Sequence, residues 1–216
     1  MLELNKVHCW DCLEFMKQIP DKSIDLVLTD PPYGINADKW FSGSGWFNWQ
    51  AKSIPRRQYE DDWDNFTPTQ EYFDEIFRIA KNVIIFWGNF FTDKLPQSNH
   101  WIFWDKNNTM PTFWDWELIY TNFDRNSVKK YYYEYNWLIW AEPTRRHPTQ
   151  KPIMLIRKLL ENYSEKWMTI LDPFLWSWTT AVACKELGRN FIWIEKEQKY
   201  VDIANKRLAN TTMSLF

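Results

Sequence analysis

Ser23-Ile24-Asp25-Leu26-Val27-Leu28-Thr29-Asp30-Pro31-Pro32-Tyr33 decides how the rest of the chain is read. Residues 23–29 are mostly apolar and β-branched, the pattern of a buried strand. Asp30 then stands at the carboxyl end of that strand, where open α/β sheets form their ligand crevice. Pro31 and Pro32 fix φ and remove two N–H donors, so the strand stops and the chain stiffens. Backbone carbonyls there are left to accept from another group. Tyr33 adds a flat face, and Gly34 lets the chain turn away. An acceptor pair beside an aromatic plate suits a planar ring bearing an amino group. The plainer reading of the same residues is a strand-ending turn.

Outward from this stretch, strand and helix patterns alternate. Residues 4–9 read as a strand, and Asp11 as the cap of a helix over 12–18 with Leu13, Phe15, Met16 and Ile19 on its apolar face. A polar stretch over 35–64 is too long for an ordinary connection and reads either as a mobile loop that closes over substrate or as a disordered surface insertion. Thr67 as N-cap and Pro68 at the first position open a helix to about Lys81. Strands follow over 83–87 and 101–104, then an irregular region over 107–136 broken by a strand at 117–120, then a strand over 137–140. Beyond it come a helix over 153–163, a strand over 167–171, a helix over 179–187 stopped by Gly188, a strand over 191–194 ending at Glu195, and a last helix over 197–209. Such alternation predicts one α/β domain over 1–216 with a doubly wound, mostly parallel sheet.

Bulk properties narrow the class. A chain of 216 residues supports a sizeable core, and no apolar run reaches the length of a membrane span. No basic-then-apolar leader opens it, and three cysteines (Cys9, Cys12, Cys184) fit reduced thiols in a cytoplasm. Cys9 and Cys12 form a C-x-x-C, but further zinc ligands at suitable spacing are missing, so no metal is expected. The net charge of −2 does not announce a nucleic-acid binder. Basic residues are nevertheless grouped at Lys52, Arg56 and Arg57, at Lys129 and Lys130, and at Arg145 and Arg146, where they could meet phosphates or simply be solvated. The chain has 16 Trp and only 5 Gly, far from ordinary usage.

Four segments in a fixed order carry a resemblance. They are Asp30-Pro31-Pro32-Tyr33; His147-Pro148-Thr149-Gln150-Lys151-Pro152; Leu171-Asp172-Pro173-Phe174 with Ser177, Thr179 and Thr180; and Glu195. This arrangement resembles the DNA amino-methyltransferases whose catalytic tetrapeptide precedes the cofactor-binding half, and it spans roughly residues 7–208. The resemblance implies a seven-stranded sheet with one reversed strand and S-adenosylmethionine as cofactor. It implies that Asp11 accepts from the adenine amino group of that cofactor and that Thr149 and Lys151 belong to the segment closing over its methionine part. The residues themselves offer matching chemistry. Ser177, Thr179 and Thr180 sit where a helix begins, and free N–H groups there can hold a carboxylate. Asp172, followed by Pro173 and Phe174, can accept from an ammonium, and Glu195 from ribose hydroxyls. Capping and surface charge are the plainer readings of those two acids.

The resemblance extends to the reaction. It implies double-stranded DNA as partner, with a homodimer and a cognate restriction endonuclease as further candidates. The target base would leave the duplex and stack on Tyr33. Asp30 and the Pro31 carbonyl would accept from its amine, within the catalytic set Asp30, Pro31, Pro32 and Tyr33. The loop over 35–64 would bring Lys52, Arg56 and Arg57 to the DNA backbone, and a short region over 105–146 would read the target. Asp at position 30 leans toward adenine N6. Cytosine N4, a non-catalytic DNA-binding relative, RNA and a protein amide are the alternatives.

One departure stands out. Trp10, Trp176, Trp178 and Trp193 occupy places where the family has glycine, and indoles at 176 and 178 would fill space needed by the cofactor's methionine tail. Some bacteria read UGA as glycine, and translating that codon as tryptophan would place Trp at these positions. The excess of Trp over Gly fits that explanation; decay to a non-catalytic relative is the other.

Overall fold

Leu26, Val27 and Leu28 of β2 (Ile24–Thr29) are all fully buried, so this strand needs cover on both faces. The computed structural model, which describes residues 3–35, 66–107, 115–133, 151–174 and 179–210, supplies it. β2 pairs in parallel with β3 (Ala80–Ile85) on one side and β7 (Thr169–Asp172) on the other. Beyond β7 lie β8 (Asn190–Glu195) and then β1 (Lys6–Cys9), both parallel. Beyond β3 the sheet continues through β5 (Trp116–Thr121), β4 (Trp101–Asp105) and β6 (Lys129–Tyr132). β5 runs against both its neighbours, and β6 is parallel to β4, so β5 is the one reversed strand among the described residues.

The helices divide between the two faces. Phe15 and Met16 of α1 (Cys12–Met16) and Phe73, Ile76 and Ile79 of α2 (Gln70–Ile79) pack on Val27, Val83, Ile85 and Ile192. On the other face α3 (Ile153–Tyr163), α4 (Thr179–Glu186) and α5 (Gln198–Asn210) bring Leu155, Leu159, Ala181, Cys184 and Val201 onto Leu26, Leu28, Ile84 and Ile170. The chain leaves β2 toward β3 but leaves β7 toward β8, on opposite sides. Connections from these two neighbouring strands therefore diverge, and a crevice opens over their carboxyl ends, between Asp30 and Asp172.

The mostly parallel α/β sheet, its single reversed strand and the span of α3 agree with the sequence reading. Other details differ. The described residues form an eight-stranded sheet where the resemblance implies seven, and residues 129–132, read as irregular chain, form β6. β6 was hard to read because only its backbone ladder with β4 orders it; its side chains are largely exposed. Thr67 does not cap α2, whose N-cap is Thr69. Its hydroxyl instead donates to the Tyr33 carbonyl at 3.2 Å, across 34 residues. α1 stops at Met16, and β3 begins at Ala80, directly after α2. Gly188 does terminate α4, in the left-handed conformation at φ +69°. The strand expected over 137–140 and the loop beyond residue 35 lie outside the described residues. No described helix is long and apolar enough to cross a membrane.

The tryptophans leave a structural signature of their own. Trp87 (φ 51°) and Trp167 (φ 72°) both adopt the left-handed backbone that glycine favours. Trp193 is fully buried on β8, its ring centroid 3.7 Å from that of Phe191, and its Nε1 has no hydrogen-bond partner among the described residues. A buried indole N–H without a partner is unfavourable, so this strand position accommodates the ring poorly.

Candidate active site

Four carboxylates line the carboxyl ends of four adjacent strands. In sheet order they are Asp11 just after β1, Glu195 ending β8, Asp172 ending β7 and Asp30 just after β2. Parallel strands enforce this, because each delivers its last side chain to the same rim.

Asp30 is the most heavily engaged. Its Oδ2 accepts from Lys151 Nζ at 2.8 Å and its Oδ1 accepts from the Tyr33 hydroxyl. Lys151 also donates to the Tyr33 oxygen at 3.1 Å, closing a triangle. Burial pushes the Asp30 carboxyl above its usual range, while the Lys151 ammonium opposes that shift. The Tyr33 ring stacks on Phe90, with centroids 5.6 Å apart at 28°, and meets Trp87 edge-on at 5.9 Å. Pro31 and Pro32 are buried beneath it. Gly34 is required next: it sits at φ +73°, and a Cβ there would lie 2.5 Å from Thr67 Oγ1.

Asp172 is a strut between elements. Oδ1 accepts from Thr29 Oγ1 at 2.8 Å and from the Phe174 N–H at 3.2 Å, and Oδ2 from Thr180 Oγ1 at 3.4 Å. These bonds join β2, β7 and α4 beneath the crevice. Burial nevertheless pushes this carboxyl up to about 7. Pro173 and Phe174 are buried, Phe174 against Tyr72, and Thr179 and Thr180 are buried at the start of α4. Burial likewise raises Glu195 to about 7; its Oε1 accepts from the Glu197 N–H at 2.8 Å. Asp11 caps α1, its Oδ1 accepting from the N–H groups of Leu13 and Glu14 at 3.0 and 3.3 Å.

The comparisons with known proteins match this arrangement. A family model described as a DNA methylase, covering N6 and N4 methyltransferases, matches residues 24–206. The chain belongs to the N6/N4 DNA methylase family. Among curated relatives of this methylase, the type II methyltransferase M.HinfI of Haemophilus influenzae is 29% identical, over 95% of this chain and 68% of its own. A solved structure of TTHA0409 from Thermus thermophilus, complexed with S-adenosyl-L-methionine, shares the fold at TM-score 0.58 and 19% identity, covering 95% of each chain. So does the cytosine-N4-specific PvuII DNA methyltransferase, at TM-score 0.61 and 14% identity over 97% of this chain and 94% of its own.

In this methylase the structure brings Asp30, Tyr33 and Lys151 into direct contact and sets Asp172, Glu195 and Asp11 along the same rim. Lys151, read as part of the segment closing over the cofactor, meets the tetrapeptide. Lys129 and Lys130 lie on β6, four strands from β2, which is about 19 Å at ordinary strand spacing. Lys130 is paired with Asp105 at 2.7 Å. Thr149, Ser177, Lys52, Arg56, Arg57, Arg145 and Arg146 lie outside the described residues, as do Trp176 and Trp178.

Sequence reading of the methylase missed two site residues. Lys106 follows β4, and its Nζ pairs with Glu117 Oε1 at 2.6 Å. Glu117 Oε2 in turn lies 3.7 Å from Lys151 Nζ. The available signal was a basic residue closing one rim strand and an acid opening its antiparallel neighbour, both read as strand ends. Burial pushes Lys106 downward while Glu117 opposes that, and its ammonium sits 4.8 Å from the Trp87 ring centroid and 5.0 Å from that of Trp104.

Proposed function

We propose that this methylase is specific for the N6 amine of adenine in double-stranded DNA. The observation that carries the reading is Asp30: a carboxylate at the rim, next to Tyr33 and buried prolines, at the junction of β2 and β7. The row of carboxylates fits S-adenosylmethionine as donor. Asp11 would face the adenine, Glu195 the ribose hydroxyls and Asp172 the methionine ammonium, with Thr179 and Thr180 at the α4 N-terminus. When bound, that cofactor supplies the methyl group as a sulfonium.

The chain's own residues then have defined tasks. Adenine is extruded from the duplex, because its amine is otherwise paired, and its ring lies against Tyr33. Asp30 and the Pro31 carbonyl accept the two N–H bonds of the amine and aim its lone pair at the methyl group. Positioning and a preorganised acceptor account for the rate, and the amine attacks directly without a protein nucleophile. Lys52, Arg56, Arg57, Arg145 and Arg146 are assigned to the phosphate backbone, and residues 105–146 to target reading.

The test is methyl transfer to unmethylated DNA followed by nucleoside analysis. It is run on the unaltered chain and on a form carrying Trp10→Gly, Trp176→Gly, Trp178→Gly and Trp193→Gly. 6-Methyladenine is expected, and more of it with the glycines in place. 4-Methylcytosine would move the reading to cytosine N4. Neither product from either form would leave a DNA-binding relative without chemistry.

A further inference from the structure

Lys106, Glu117, Lys151 and Asp30 form an unbroken line of alternating charge. The distances are 2.6 Å from Lys106 to Glu117, 3.7 Å from Glu117 to Lys151 and 2.8 Å from Lys151 to Asp30. Glu117, Lys151 and Lys106 are only 2%, 5% and 7% exposed. Buried charges are tolerated when each is paired and hydrogen-bonded. The line breaks that rule at one atom. Among the described residues Glu117 Oε2 is buried with no hydrogen-bond partner, although an ammonium bonded to other groups faces it. An acceptor held short of its donor in this way is not explained by stability.

We propose that Glu117 is a second seat for the Lys151 ammonium, which leaves Asp30 for Glu117 when an exocyclic amine arrives. This deepens the methyltransferase reading and rests on it. In the arrangement seen, both Asp30 oxygens are engaged, one by Lys151 and the other by Tyr33. An amine arriving at Asp30 competes with these two buried donors for the carboxylate's lone pairs. A Lys151 ammonium moved off Asp30 keeps the Tyr33 oxygen but loses its counter-charge, which is strongly unfavourable for a buried cation. Glu117 Oε2 removes that obstacle, since closing 3.7 Å to hydrogen-bond length needs only a small swing of the lysine. Lys106 holds the other oxygen and so keeps Oε2 aimed at Lys151. No proton moves in the exchange and the net charge of the four groups is unchanged. Glu117 and Lys106 are positioning residues, acting on the reacting amine only through Lys151 and Asp30.

Lys106→Met combined with Glu117→Leu removes the outer pair together and leaves Lys151 and Asp30 balanced, a replacement that protein interiors tolerate. On unmethylated DNA, turnover of this double variant is expected to fall at least about tenfold, with KM for DNA and for S-adenosylmethionine within about threefold. Turnover within about threefold of the unaltered protein overturns the proposal, since Glu117 would then serve only to neutralise Lys106. A second measurement needs neither the variant nor turnover. In a 15N-lysine spectrum of the unaltered protein, the Lys151 ammonium is identified by its loss in Lys151→Met. That signal is expected to move with saturating 2′-deoxyadenosine monophosphate and to stay with thymidine monophosphate, which lacks an exocyclic amine. A Lys151 signal unmoved by saturating deoxyadenosine monophosphate overturns the proposal. Absence of methyl transfer from the unaltered and glycine-restored forms alike would strike the methyltransferase reading instead, and the spectrum would still decide the role of Glu117.

Discussion

Lys151 Nζ lies 2.8 Å from Asp30 Oδ2, joining the segment before α3 to the end of β2 across 121 positions of sequence. The carboxylate proposed to receive the target amine is thus held by a buried lysine. Asp30 therefore cannot be altered without regard to that cation.

Asp30→Asn keeps a side-chain oxygen for Lys151 but weakens acceptance from an amine. Methyl transfer is expected to fall at least about a hundredfold, the scale of losing one preorganised polar group at a reacting centre. Lys151 keeps Glu117 nearby, so the stability loss should stay below the about 3–5 kcal/mol of a fully orphaned buried charge. Transfer assays and thermal denaturation measure the two effects separately. Near-normal turnover would remove Asp30 from the mechanism.

Asp172 gives a pH signature. Its folded carboxyl titrates at about 7, well above the ordinary aspartate value, because it is buried. The folded state therefore holds a proton that the unfolded chain releases near pH ~4. This contribution to stability is fully present below the unfolded value and is lost as pH rises through about 7. Asp172→Asn removes the titration, so the difference in melting temperature between variant and parent should shift in the variant's favour from pH ~4 to ~7.5. A difference that is flat with pH would contradict the raised value.

Gly34→Ala tests the tetrapeptide's support. The new Cβ meets Thr67 Oγ1 at 2.5 Å, and the backbone stays at φ +73°. A loss of about 1–3 kcal/mol is expected from the strained conformation, with a fall in turnover from a displaced Tyr33. Chemical denaturation and transfer assays report both. Unchanged stability would mean that the turn relaxes freely.

Trp167→Gly should raise stability. Trp167 is 71% exposed and sits at φ 72°, so its indole contributes little burial while its backbone is strained. Relief of the left-handed conformation is worth about 1 kcal/mol, partly offset by glycine's entropy. Trp87 shares that backbone region but packs on Tyr33, so its replacement should not stabilise. The two positions extend the glycine-codon explanation from 10, 176, 178 and 193 to 87 and 167. UGA at these codons is the expected finding, and UGG throughout would show that the tryptophans are genuine.

Sequence alone determined the strand ending in Asp30-Pro31-Pro32-Tyr33, the parallel α/β architecture, the span of α3 and the glycine stop of α4. Each is set by local patterning: apolar runs, proline, and helix-terminating glycine. The row of acids was legible too, because a parallel sheet sends every strand end to one rim. What only the tertiary structure decided is how those ends are wired. Nothing near Lys151 in sequence marks it as the partner of Asp30, and Lys106 and Glu117 read only as strand ends until β4 and β5 are paired. Thr67 looked like a helix cap until the turn at Gly34 was placed beside it. β6 has no apolar pattern and exists through its ladder with β4. Pairing of buried charges and ladder hydrogen bonds depend on neighbours far apart in the chain, and those neighbours are chosen by the packing of the sheet.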